Sequence, residues 1–108
     1  MTDLLEKLEF EYEYNKWIEE TSFYSQLEPY FENEHFKNIV AMGVEVTPFI
    51  IDKIKEQPNF IVHALDILYP NLMEYTGYVP LEDVCKMWVI TYESYLKKVF
   101  EQNNETEE

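Results

Sequence analysis

The chain contains no arginine. Its 8 basic residues are all lysine and stand against 22 acids, giving a net charge of −14 over 108 residues. Phosphate recognition depends on planar arginine forks and clustered positive charge. Direct binding of nucleic acid is therefore not expected, and an anionic membrane surface would repel the chain. Glycine is nearly absent, at 2 residues, which disfavours an all-β fold built on tight turns. The single cysteine, Cys85, leaves no possibility of an internal disulfide. No apolar run approaches membrane-spanning length. The opening MTDLLEKLE is charged throughout rather than leader-like, so a cytoplasmic location is expected. There is no glycine-rich phosphate loop, no Cys/His zinc spacing and no nucleophile elbow. No cofactor, metal or enzymatic activity is expected.

Aromatic residues make up 17% of the chain, and nine of them are tyrosine. Tyrosine serves equally in a core and in an adaptable contact surface, so composition alone does not assign them. With few breakers and ordinary apolar content, the sequence predicts a single all-α domain of about five or six helices over residues 1–100. Residues 101–108 are expected to form a disordered acidic tail.

The stretch LEFEYEY at residues 8–14 alternates apolar and acidic residues, the usual mark of a half-buried strand. Its flanks contain no turn residue, Asp3 and Glu6 supply a helix start signal, and no second strand is evident. The spacing therefore predicts one helix over roughly 3–20. On that helix Glu6, Glu9, Glu13 and Glu20 share a stripe. Leu4, Leu5, Leu8 and Tyr12 gather on one flank, and Phe10, Tyr14, Trp17 and Ile18 on the other.

Further on, Phe36, Ile39, Val40 and Met42 recur at helical spacing before Gly43, which is placed to end a helix. Thr47 and Pro48 read as cap and first helical residue. Pro58 is expected to start a helix carrying Ile61, Ala64 and Leu65. Residues 70–80 read as a loop. In the last helix, about 81–101, Leu81, Cys85, Trp88, Tyr92, Tyr95 and Val99 follow a heptad-like rhythm.

A resemblance rests on Trp17, Thr21, Phe23, Ser25, Phe36, Ile39, Met42, Gly43, Pro48, Ile50, Pro58, Ala64, Leu65 and Trp88. In rhythm this pattern is similar to a HEAT-type helical repeat. It resembles more closely a set of small bacterial all-helical proteins with no established chemistry. The likeness covers roughly residues 17–90 and departs at Ile61, Val62 and the stretch LYPNLMEYTG. It implies HEAT-like helical hairpins in the centre and no activity.

Three constellations could carry chemistry. His63 and Asp66, with Asn59 one turn earlier, could form a base with its orienting carboxylate, but they read as a wet helix face. His35 stands beside Glu32 and Glu34 with no third ligand. Cys85 sits on an apolar stripe, the usual place of an inert buried thiol.

Charge is uneven: residues 1–34 carry 10 acids and 2 lysines, and residues 35–100 carry 8 acids and 6 lysines. This points to a non-enzymatic protein-binding module of inhibitor, antitoxin or immunity type, holding a protein with a basic surface. The expected contact residues are Glu9, Glu13 and Glu20, with Tyr14, Trp17, Tyr24 and Tyr30 as anchors. The alternative is a scaffold or adaptor subunit that self-associates through residues 81–101 or docks through Met73, Tyr75 and Tyr78 of the loop.

Overall fold

A computed structural model describes residues 2–22, 31–75 and 77–106, with side chains placed from Leu4 to Phe100 within those segments. The domain is all-α, and among the described residues it has five α-helices and no strand. The first, α1, spans Thr2–Thr21, so the alternating stretch at 8–14 lies within a helix. Among the described residues the alternation has no strand to pair with. Read at 3.6 residues per turn, it sends Phe10 and Tyr14 to the same side as Trp17.

Phe10, Trp17 and Thr21 are fully buried, and Tyr14 packs against the same core. The Thr21 hydroxyl donates to the carbonyl oxygen of Trp17 at 2.6 Å, satisfying an acceptor at the helix end. Leu4, Leu5, Leu8 and Tyr12 take the opposite side and are exposed. The sequence pattern thus separated two apolar flanks, and the packing buries Phe10 and Trp17 of one of them, whereas Ile18 of the same flank is 40% exposed.

Helix α2 spans Glu34–Ala41 and is capped by Asn33, whose side chain accepts from the His35 N–H. It ends at Gly43, whose φ of +85° lies in the region that favours glycine. A 3₁₀ turn at Val44–Val46 leads directly into α3 at Thr47–Glu56. Thr47 is therefore already helical and is not the cap. Its hydroxyl instead donates back to the Val44 carbonyl at 2.7 Å and meets the Tyr69 hydroxyl at 2.9 Å. Pro48 sits in the first turn, where its missing N–H costs nothing.

Pro58 does not open the next helix. Asn59 caps a 3₁₀ turn at Phe60–Val62, accepting from the Ile61 N–H at 2.9 Å, and α4 follows at His63–Leu68. Asparagine competes well for local backbone donors, which delays the regular helix. The last helix, α5, spans Leu81–Thr106, so its end lies beyond the expected boundary near residue 101.

Helix α1 packs on α2, α2 on α4, and α3 on α5. Phe10, Trp17, Phe36, Ile39, Ile50, Ile61, Leu65 and Trp88 meet in one core with their neighbours. Trp17 and Phe36 approach ring to ring at 5.7 Å, and Phe31 joins Phe36 at 5.4 Å. Among the described residues, no buried side-chain N or O atom lacks a hydrogen-bond partner.

Candidate functional site

The acidic stripe of α1 is divided by its partners. Glu13 and Glu20 turn towards α2 and grip His35 from both ring nitrogens. Nδ1 meets Glu13 Oε2 at 2.7 Å, and Nε2 meets Glu20 Oε2 at 3.1 Å. Two carboxylate partners require a donor at each nitrogen, which favours the imidazolium. The Glu13 hydrogen bond is the main cause holding His35 above its ordinary pKa. Burial opposes it, and the charge of Glu20 adds to it. Glu13 also accepts from Asn38, and Glu20 from Asn33. These carboxylates fasten α1 to α2, a role invisible in sequence because His35 lies 22 residues from Glu13.

Glu11 is engaged too, with Lys53 of α3 at 3.0 Å. The same ammonium lies 4.7 Å from the centre of the Tyr14 ring, and the Tyr14 hydroxyl accepts from Asn59. Burial raises the Tyr14 pKa, with the Asn59 bond opposing it. Trp17 is 1% exposed. It is a core residue, not a surface anchor, because its position on the helix follows Phe10 by two full turns. Tyr24 and Tyr30 lie outside the described residues.

A cleft of about 510 Å³ runs between α1 and α2. Glu6, Glu9, Glu13 and Glu45 line it, with Ala41, Met42 and Val46 as its apolar wall. Glu45 enters from the 3₁₀ turn after Gly43, a carboxylate that the reading of α1 alone could not place. Glu9 and Glu45 are exposed. Next to Glu9 on α1 begins the exposed row of Leu5, Leu8 and Tyr12.

The 70–80 loop is held to the core by a second polar cluster. Asp66 of α4 accepts from the Tyr75 hydroxyl at 2.8 Å, from the Trp88 indole N–H at 3.2 Å and from His63 Nδ1 at 3.1 Å. Burial alone would raise the Asp66 pKa, but the three donors outweigh it and hold the carboxyl below its usual value. Desolvation first, and then the bond to Asp66, push Tyr75 up to about 12. The sequence placed Asp66 on a wet face. It is drawn inward because Trp88 and Tyr75, both distant in sequence, bring donors to it.

His63 also packs edge-on to Phe31. His63 and Asp66 are thus a hydrogen-bonded pair, and the thiol of Cys85 does not extend it. Burial raises the Cys85 pKa, and its Sγ contacts the Asn59 carbonyl oxygen. A thiol of this kind stays protonated and is a weak nucleophile. Met73 is half-buried against the core and Tyr75 is tied to Asp66, whereas Tyr78 is 90% exposed. The three thus differ in how far they are open to solvent.

Among the described residues no group of His, Cys, Asp and Glu is arranged to hold a metal ion. None of the described helices is long and apolar enough to cross a membrane. No family model, curated protein or solved structure matches the chain.

Two predictions test these clusters. A raised histidine pKa stabilises the fold fully below the unfolded value of about 6.5, and that stability is lost as pH rises through the folded value. Chemical denaturation of the wild type should therefore show full stability below about pH 6.5 and a loss of stability as pH rises above it, with a flatter profile for His35→Gln. In the second cluster, Asp66→Ala should lower unfolding free energy by about 2 kcal/mol and Tyr75→Phe by about 1 kcal/mol. Tyr78→Phe should change nothing measurable in the same denaturation series.

Proposed function

We propose that this protein is a non-enzymatic protein-binding module that holds a basic partner at the acidic cleft between α1 and α2. The observation that carries this reading is the convergence of the exposed carboxylates Glu9 and Glu45 beside Glu6, around an apolar wall of Ala41 and Met42, with Glu13 held by His35 at the edge. That combination suits a lysine or arginine side chain. The aliphatic stem lies along the wall, and the charged head meets carboxylates at the rim.

The exposed row of Leu5, Leu8 and Tyr12 beside Glu9 supplies apolar contact area next to the charge. These residues replace Tyr14 and Trp17 as anchors, since those two are occupied within the fold. A negative field over the first third of the chain also speeds encounter with a positive surface. An inhibitor, antitoxin or immunity-type role fits a small module that occludes a basic site. HEAT-like central hairpins would provide the rigid base from which α1 presents that surface.

A pull-down from a host extract at low and at high salt, read by mass spectrometry, tests this reading. A stoichiometric basic protein should be retained at low salt and released at high salt. Glu9→Lys combined with Glu45→Lys should abolish its capture while leaving the helical circular dichroism unchanged. Capture that ignores both salt and charge reversal would contradict the assignment.

A further inference from the structure

The heptad-like seam of α5 is spent on the protein's own core at its first half. Val84, Cys85 and Trp88 are buried, and Tyr92 packs against the same core. A different face of the helix is left uncovered. Ile90 is 64% and Phe100 66% exposed. Between them, Glu93 and Lys97 lie on the same strip, since the spacings of 3, 4 and 3 keep all four residues together. Leu96, 47% exposed, borders the strip. The order along the helix is apolar, acidic, basic, apolar.

That order is self-complementary when reversed. We propose that this strip binds a second copy of the chain, with the two α5 helices antiparallel and related by a two-fold axis at the level of Tyr95. In this register Ile90 of one copy meets Phe100 of the other, and Glu93 meets Lys97. Each pair occurs twice, and the contact closes without leaving a free complementary surface.

Charge also selects this strip over the rest of the surface. Two chains of net charge −14 repel each other almost everywhere. Residues 90–100 carry one acid, Glu93, and two bases, Lys97 and Lys98, so here the repulsion gives way. The own-chain contact of Glu93 is a peripheral one to Lys55 at 3.9 Å, with both side chains about half exposed, so it leaves Glu93 accessible. The strip lies on a different side of α5 from the buried seam, with α3 beside it at Ile90 and Glu93 and nothing beside Phe100 among the described residues that buries it. This surface is separate from the α1 cleft, and a dimer formed through it presents two such clefts.

Sedimentation velocity of the full chain over a concentration series is the test. The wild type should shift from monomer to dimer as concentration rises. Phe100→Glu should weaken association roughly tenfold or more, as expected when an aromatic buried twice per dimer becomes a charge. Glu93→Lys and Lys97→Glu should each weaken it by about threefold to tenfold. The combined swap should restore the wild-type constant, because the pair is reformed with its signs exchanged. Circular dichroism confirms that each variant keeps its helices. A wild type that stays monomeric throughout would overturn the proposal, and so would a dimer indifferent to Phe100→Glu. A swap that fails to restore association would overturn the antiparallel register.

Discussion

The burial of Phe10 and Trp17 is the constraint on which the other surfaces depend. Both rings lie on one face of α1, and both are almost wholly removed from water. Large aromatic side chains dominate core energetics, and displacing either from its site would expose on the order of 150–250 Å². The helix therefore has one rotational setting. That setting places Glu13 and Glu20 against His35 and aims Glu6 and Glu9 into the cleft. It also leaves Leu4, Leu5, Leu8 and Tyr12 facing outward.

A net charge of −14 suggests a protein coated in equivalent carboxylates, but the carboxylates are not equivalent. Glu11, Glu13, Glu20 and Asp66 are engaged by Lys53, His35, Asn33, Asn38, Tyr75 and Trp88. They hold helices and the 70–80 loop in place. Glu9 and Glu45 face solvent at the cleft. The same division applies to tyrosine. Tyr14, Tyr69 and Tyr75 make internal hydrogen bonds, whereas Tyr12, Tyr78 and Tyr95 are open to solvent.

Much of the fold was legible in the sequence because local chemistry determined it. Gly43 ends α2 through a positive φ, Lys53 and Lys55 fill the last turn of α3, and Ala64 and Leu65 bury themselves in α4. The boundaries that moved were set by competition between nearby groups. Thr47 gave up the cap because a 3₁₀ turn runs into its helix, and the helix expected to start at Pro58 is delayed by a 3₁₀ turn that Asn59 caps. The candidate site was less legible. Two apolar flanks on α1 could be recognised, but only packing against Phe36 and Phe49 decides which is buried. Asp66 looked solvated because its donors come from Tyr75 and Trp88, up to 22 residues away. Glu45 joined the cleft through the turn after Gly43, a tertiary placement without a local signal.

The rotational setting of α1 can be read from one side chain. A Trp88→Phe variant leaves Trp17 as the sole tryptophan, and its fluorescence can be followed as acrylamide is added. A Trp17 ring packed on Phe36 gives blue-shifted emission that acrylamide barely quenches until the protein is unfolded. Red-shifted emission, quenched in the native state as readily as free indole, would mean that α1 presents its aromatic face to solvent and that the surfaces assigned to it are inverted.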